Sequence, residues 1–150
     1  MNLYYSTDMG LLKVLCRSKF MENMITLCGD NCSKCPRFLA QTDEELKAVA
    51  ELWFRVGWRN TIVSIDEIRC NGCTADKNCT YGIVKCTKEH GVKKCNQCKM
   101  FPCVTIKNVL SRTEMYKEIC QKVCTTEEYN LISEAFFNKY ENLCKKDVQY

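Results

Sequence analysis

Cys70-Asn71-Gly72-Cys73 and, after 21 intervening residues, Cys95-Asn96-Gln97-Cys98 set the terms for the rest of the chain. Two cysteines separated by two residues place both sulfurs on one side of a tight turn. A tetrahedral ion with metal–sulfur bonds of about 2.3 Å needs two such halves, and the interval between these pairs is close to the knuckle spacing of a zinc ribbon. Gly72 can take the left-handed backbone that aims amides at the sulfurs. Residues 66–103 hold seven cysteines, with Gly72, Gly82 and Gly91 and few large apolar side chains. Hydrophobic burial cannot order such a stretch, but metal–ligand bonds can replace the missing core. The first expected site is therefore Cys70, Cys73, Cys95 and Cys98.

Working outward, Cys28, Cys32 and Cys35 form an upstream group, with a third close pair in Cys32-Ser33-Lys34-Cys35. Cys79, Cys86 and Cys103 complete a set of ten candidate metal ligands. Cys28, Cys32 and Cys35 with Cys103 make an economical second site, leaving Cys79 and Cys86 as a weaker pair, with or without His90, or as spare thiols. His90 is the single histidine, beside Gly91 in a lysine-rich stretch, and reads as a loop residue. Cys16, Cys120, Cys124 and Cys144 read as small buried residues.

The composition fits this picture. The chain has 150 residues, 46% hydrophobic and 27% charged, enough for one compact domain, and 14 cysteines, at the level that signals a disulfide, metal or cluster scaffold. Met1 to Phe20 lacks the pattern of an export signal. No stretch approaches the roughly 20 apolar residues of a membrane span. The expected location is the cytoplasm, where dense thiols coordinate metal rather than pair as disulfides. The formal charge of +4 is too mild to imply nucleic acid or anionic membrane, and two four-thiolate zinc sites, each contributing about −2, would cancel it.

Thr42-Asp43-Glu44-Glu45 is a capping box that opens a helix to about Val56, with Leu46, Val49, Ala50 and Trp53 on one face and Gly57 as its stop. Thr61-Ile62-Val63-Ser64-Ile65 is the run with clear β propensity. Helical character returns over 104–123, in Val104 to Val109 and Tyr116 to Val123. Thr125-Thr126-Glu127-Glu128 is a second capping box, opening a helix over 126–145 with an apolar stripe of Tyr129, Ile132, Ala135, Phe136, Tyr140 and Leu143. The expected fold is mainly α with an irregular metal-stapled cysteine-rich centre, a small α+β arrangement being the variant. Residues 1–24 are an N-terminal extension, either a short helix around Met9 to Phe20 packing Leu11, Leu12 and Leu15, or sequence ahead of a true start at Met21 or Met24. Residues 25–145 form the single cysteine-rich domain and 146–150 a tail.

Cys28-x3-Cys32-x2-Cys35 is also the three-thiolate spacing of radical S-adenosylmethionine enzymes. Those enzymes build β/α barrels, normally of about 200 residues or more, and 115 residues follow Cys35. An iron–sulfur cluster with redox or radical chemistry at these three residues is nonetheless the alternative to zinc. A ferredoxin would place its proline after the last cysteine, whereas Pro102 precedes Cys103. No phosphate-cradling glycine loop, nucleophile-elbow serine or second histidine supports a hydrolase, so no catalytic residue is named. Lys85, Lys88, Lys93, Lys94 and Lys99 interleave with the cysteines. They suit a nucleic-acid contact, or more simply offset thiolate charge.

Leu27-Cys28-Gly29-Asp30-Asn31-Cys32-Ser33-Lys34-Cys35-Pro36 and Cys95-Asn96-Gln97-Cys98-Lys99-Met100-Phe101-Pro102-Cys103 resemble the prokaryotic cysteine-rich family known as domain of unknown function 3795. Glu134 to Leu143 is similar to that family's C-terminal helix, so the likeness runs from Ile25 to Leu143. The family often carries another cysteine between Cys79 and Cys86, where this chain has Tyr81-Gly82. The resemblance implies a small cysteine-rich domain that binds zinc, with no established reaction; two ions is the count expected from the cysteines of this chain. The expected function is a zinc-binding, non-catalytic interaction module with an unknown protein partner and no membrane. The further alternative is a nucleic-acid-binding zinc protein.

Overall fold

The computed structural model describes residues 9–18, 22–73 and 79–145, and these are mainly helical, with no strand among them. The tail 146–150 and the Leu15 side chain lie outside the described residues. Among the described residues eight α-helices follow in order: α1 (Met9–Ser18), α2 (Pro36–Leu39), α3 (Asp43–Arg55), α4 (Ile65–Ile68), α5 (Ile83–Glu89), α6 (Val104–Val123), α7 (Thr126–Phe136) and α8 (Lys139–Cys144). Two 3-10 turns, Cys32–Lys34 and Cys95–Gln97, hold two of the Cys-x-x-Cys pairs.

The main core is organised on α3. Its capping box forms as the residues require, with the Thr42 hydroxyl accepting from the Glu45 amide at 3.2 Å and Glu45 Oε2 accepting from the Thr42 amide at 3.2 Å. Leu46, Val49, Leu52, Trp53 and Val56 then bury against Leu11 of α1, Ile68 of α4, Cys120 of α6, Ile132 of α7 and Phe137. Trp58, just past the helix end, packs edge-on against Trp53 at 4.8 Å, Phe136 at 5.3 Å and Tyr116 at 5.7 Å. Arg55 donates to both Glu128 carboxylate oxygens, at 2.8 and 2.7 Å, joining α3 to α7.

A separate small cluster joins Ile83 of α5, Cys95, Ile106 and Val109 of α6, and Leu143 of α8, with Leu27, Cys28, Cys79, Phe101 and Cys103 at its edge. The cysteine-rich segment thus sits on its own minor core beside the α3 core.

Several expectations are corrected. Thr61 to Val63 is irregular, because Ser64 and Glu67 close a capping box of their own, with the Ser64 hydroxyl accepting from the Glu67 amide at 3.3 Å, and turn the run into α4. The helix foreseen over 126–145 breaks at Phe137-Asn138 into α7 and α8. Tyr140 therefore leaves the apolar stripe and is exposed. Cys16 and Cys144 are exposed rather than buried, Cys124 is half-buried, and Cys120 is fully buried. In α1, Leu11 and Val14 face the core while Leu12 is exposed.

Candidate metal centre

The loop from Met24 to Asn31 folds back on itself before the first close pair. Asn31 Oδ1 accepts from the Ser33 hydroxyl at 2.6 Å and from the amides of Ser33 and Met24, both at 3.2 Å. This caps the 3-10 turn that carries Cys32. Cys35 then serves as N-cap of α2, with Pro36 at the first helical position, where no amide is needed.

Arg37 on α2 reaches across the molecule. Its guanidinium donates to the carbonyls of Ile68, Glu67 at 2.9 Å and Arg69 at 3.4 Å, the residues just ahead of Cys70. The ring of Phe38 lies under Gly72, 3.5 Å from where a Cβ would stand. These contacts bring Cys70 and Cys73 to Cys32 and Cys35. The Cys32 sulfur accepts from the Cys73 thiol, which holds Cys32 below its usual thiol range despite burial; the Cys73 amide adds to this, and the neighbouring Cys35 and Cys70 oppose it. Burial pushes Cys35 up to about 12, opposed by the amides of Phe38 and Arg37. Gly72, at φ +101°, donates its amide to Cys70 Sγ at 3.4 Å, as the Cys-Asn-Gly-Cys reading anticipates.

A second neighbourhood gathers Cys79, Cys86, Cys95, Cys98 and Cys103. Burial pushes Cys95 up to about 11, and Cys86, Cys103, Cys98 and Cys79 add to the rise in that order. Cys86, on α5, is raised by burial and then by Cys103 and Cys98. The Cys95 turn repeats the Cys32 turn bond for bond: the second cysteine's amide returns to the first one's carbonyl at 3.1 Å, and the phenylalanine three residues later to the second cysteine's carbonyl at 3.1 Å, in both places. His90 is exposed, its Nδ1 2.9 Å from the Cys86 carbonyl and 3.8 Å from Cys86 Sγ.

The pairing inferred from spacing is therefore corrected. Cys70/Cys73 neighbours Cys32/Cys35, not Cys95/Cys98, and Cys103 belongs to the downstream group. Cys28 borders the minor core. Its sulfur is 3.6 Å from Asp30 Oδ2 and 3.6 Å from the Thr26 hydroxyl, and burial followed by the Asp30 charge pushes it up to about 12. Asp30 in turn meets the buried Lys139 ammonium at 2.7 Å. Among the described residues no three Cys, His, Asp or Glu side chains close to metal-holding geometry, so the two groups are thiol neighbourhoods rather than formed coordination shells. Their donor chemistry nevertheless fits a thiophilic ion: sulfurs supplied in pairs, with backbone amides already directed at Cys28, Cys35 and Cys70.

Among the described residues no helix is long and apolar enough to cross a membrane. No curated protein and no solved structure matches the chain. A family model described as a protein of unknown function (DUF3795) matches residues 24–108, from the loop that carries Cys28 to the first turns of α6. That match takes in both thiol neighbourhoods and more than half of the sequence, and the chain belongs to the family DUF3795.

Proposed function

We propose that this protein is a zinc-binding module with two thiolate sites, and that the metal organises a surface for a partner rather than a reaction. The observation that carries this reading is the apposition of Cys32/Cys35 with Cys70/Cys73, two close pairs that flank α3 in the sequence and are brought together by Arg37. Four thiolates from two such turns are the donor set of a structural zinc ion. Cys86, Cys95, Cys98 and Cys103 supply the second set, with Cys79 as a fifth thiol beside it. A divalent ion would lower the thiol pKa values that burial raises, because coordination deprotonates the ligand outright.

The test is elemental analysis with a visible spectrum on protein purified without oxygen. Two zinc ions per chain and no colour are expected, falling to one in Cys70→Ser/Cys73→Ser. Iron with sulfide-to-metal absorption, or a metal content untouched by that double substitution, would overturn it.

A further inference from the structure

The net charge of +4 is not spread along the chain. Residues 79–113 contain six lysines and Arg112 against a single acid, Glu89, giving +6, while the 15 basic and 17 acidic residues elsewhere give −2. Glu89 is itself engaged by Lys85 at 3.8 Å. Lys88, Lys93, Lys99 and Lys107 are exposed. A four-thiolate zinc ion would contribute about −2, which leaves this region at about +4, so offsetting the metal site accounts for only part of the excess.

Two exposed tyrosines border this segment. Tyr140 is 45% exposed and lies stacked on Phe101, with centroids 6.1 Å apart and planes 16° from parallel. Phe101 belongs to the turn between Cys98 and Cys103, so this stack is fixed to the second thiol group. On α6, Arg112 sits 5.4 Å from the ring centre of Tyr81, which is 38% exposed. Exposed rings, each packed against a neighbour at the edge of a basic segment, with Glu114 and Glu141 the acids beside Tyr140, match what a single-stranded nucleic acid requires: cations for the phosphates and π faces for unstacked bases. A duplex hides its base faces and would leave the rings unused.

We infer that the region around the second thiol group binds single-stranded nucleic acid, with Lys93, Lys99 and Lys107 meeting phosphates and Tyr140 stacking on a base. The inference names a partner for the module proposed above but rests on charge and rings. It takes from the metal reading only the charge of the ion.

The experiment is fluorescence anisotropy of a labelled oligouridine of about 20 nucleotides with the full zinc-loaded chain, between about 50 and 200 mM salt. Binding at low salt that weakens steeply is expected. Lys93→Gln/Lys99→Gln/Lys107→Gln should lose about tenfold or more and flatten the salt slope by about 2, at roughly 0.7 per phosphate contact. Tyr140→Ala should lose about tenfold with the slope unchanged, and Lys47→Gln/Lys122→Gln, outside the region, should bind as the parent does. No binding at low salt, equal affinity for a duplex, or displacement by polyglutamate at the same charge concentration would overturn the inference, the last pointing to an acidic polypeptide instead. Zinc content measured on the same samples separates the two readings: binding without zinc sinks the metal proposal alone, and zinc without binding sinks this one alone.

Discussion

Gly29 turns the chain at φ +95°, and a Cβ there would lie 2.3 Å from the Lys139 carbonyl oxygen. The turn carries Cys28 and Asp30 and is tied to α8 by Asn142, whose side-chain amide donates to the Gly29 carbonyl at 2.9 Å. Because the obstacle is backbone, nothing nearby can yield cheaply. Gly29→Ala should therefore destabilise the protein by about 3 kcal/mol, from a strained φ and a displaced α8 together; urea denaturation with an unchanged midpoint would refute it. Glu45 is a second residue on which distant parts converge. Burial alone would raise its carboxyl, but the Gln41 amide, the Arg17 guanidinium and the Thr42 amide outweigh burial and hold it below the ordinary carboxylate range. A folded-state pKa below the unfolded one contributes stability that is complete above about pH 4.3 and disappears as pH falls through the folded value. Glu45→Gln keeps the capping geometry and removes the charge. It should cost about 1 kcal/mol at neutral pH, and that cost should shrink as the solution is acidified below about pH 4, measured as the gap between two denaturation curves. A gap independent of pH would show that the Arg17 contact contributes nothing electrostatic.

At the scale of elements, Arg37 decides which cysteine pairs meet. It fastens α2 to the carbonyls at the end of α4, and so sets Cys70 to Cys73 over the Cys32 turn. Arg37→Ala should weaken zinc at the first site by about tenfold or more, as loss of an outer support does, while the second site keeps its ion. Competition with a chromogenic chelator would resolve two classes of zinc; equal release from both would exclude this role. The same contact is why the pairing of the cysteines is not legible in the sequence. The α3 and α7 capping boxes were legible because the bonds close within three residues. Nine of the ten cysteines singled out by spacing fall into the two thiol groups and Cys28 does not, but all three close pairs share one spacing, and spacing names no partner. Arg37 acts over about thirty residues and leaves no local signature. In the Thr61 to Ile65 run, Ser64 and Glu67 stand at capping-box spacing, a local signal that competes directly with the β-branched residues and prevails. The break at Phe137-Asn138 follows from tertiary contacts instead: the Lys139 ammonium turns inward to the Phe136 carbonyl at 2.8 Å and to Asp30.

Among the described residues the α3 core and the minor core differ in size and in what borders them. The α3 core buries Leu46, Val49, Leu52, Trp53 and Val56 with partners from α1, α4, α6 and α7. Each fully buried aliphatic or aromatic side chain there contributes about 1.5–3 kcal/mol, and none of this depends on a metal ion. The second core has Ile83, Ile106, Val109 and Leu143, bordered by thiols that would be ligands. On the zinc reading proposed above, the ions add to what a cluster of that size sets against about 1–2 kcal/mol of backbone entropy per residue across 66–103. Stripping metal with a strong chelator under reducing conditions should thus produce a partly folded protein, not an unfolded one. Hydrogen exchange should rise to near-random rates from Cys70 through Cys103 while α3 and α7 stay protected, and thermal melting should split into an early metal-dependent and a later metal-independent transition. Restoring zinc should merge the two. If the chelated chain instead keeps full protection over Cys86 to Cys103, the minor core suffices alone, and the thiols there would have to be explained by something other than holding the fold.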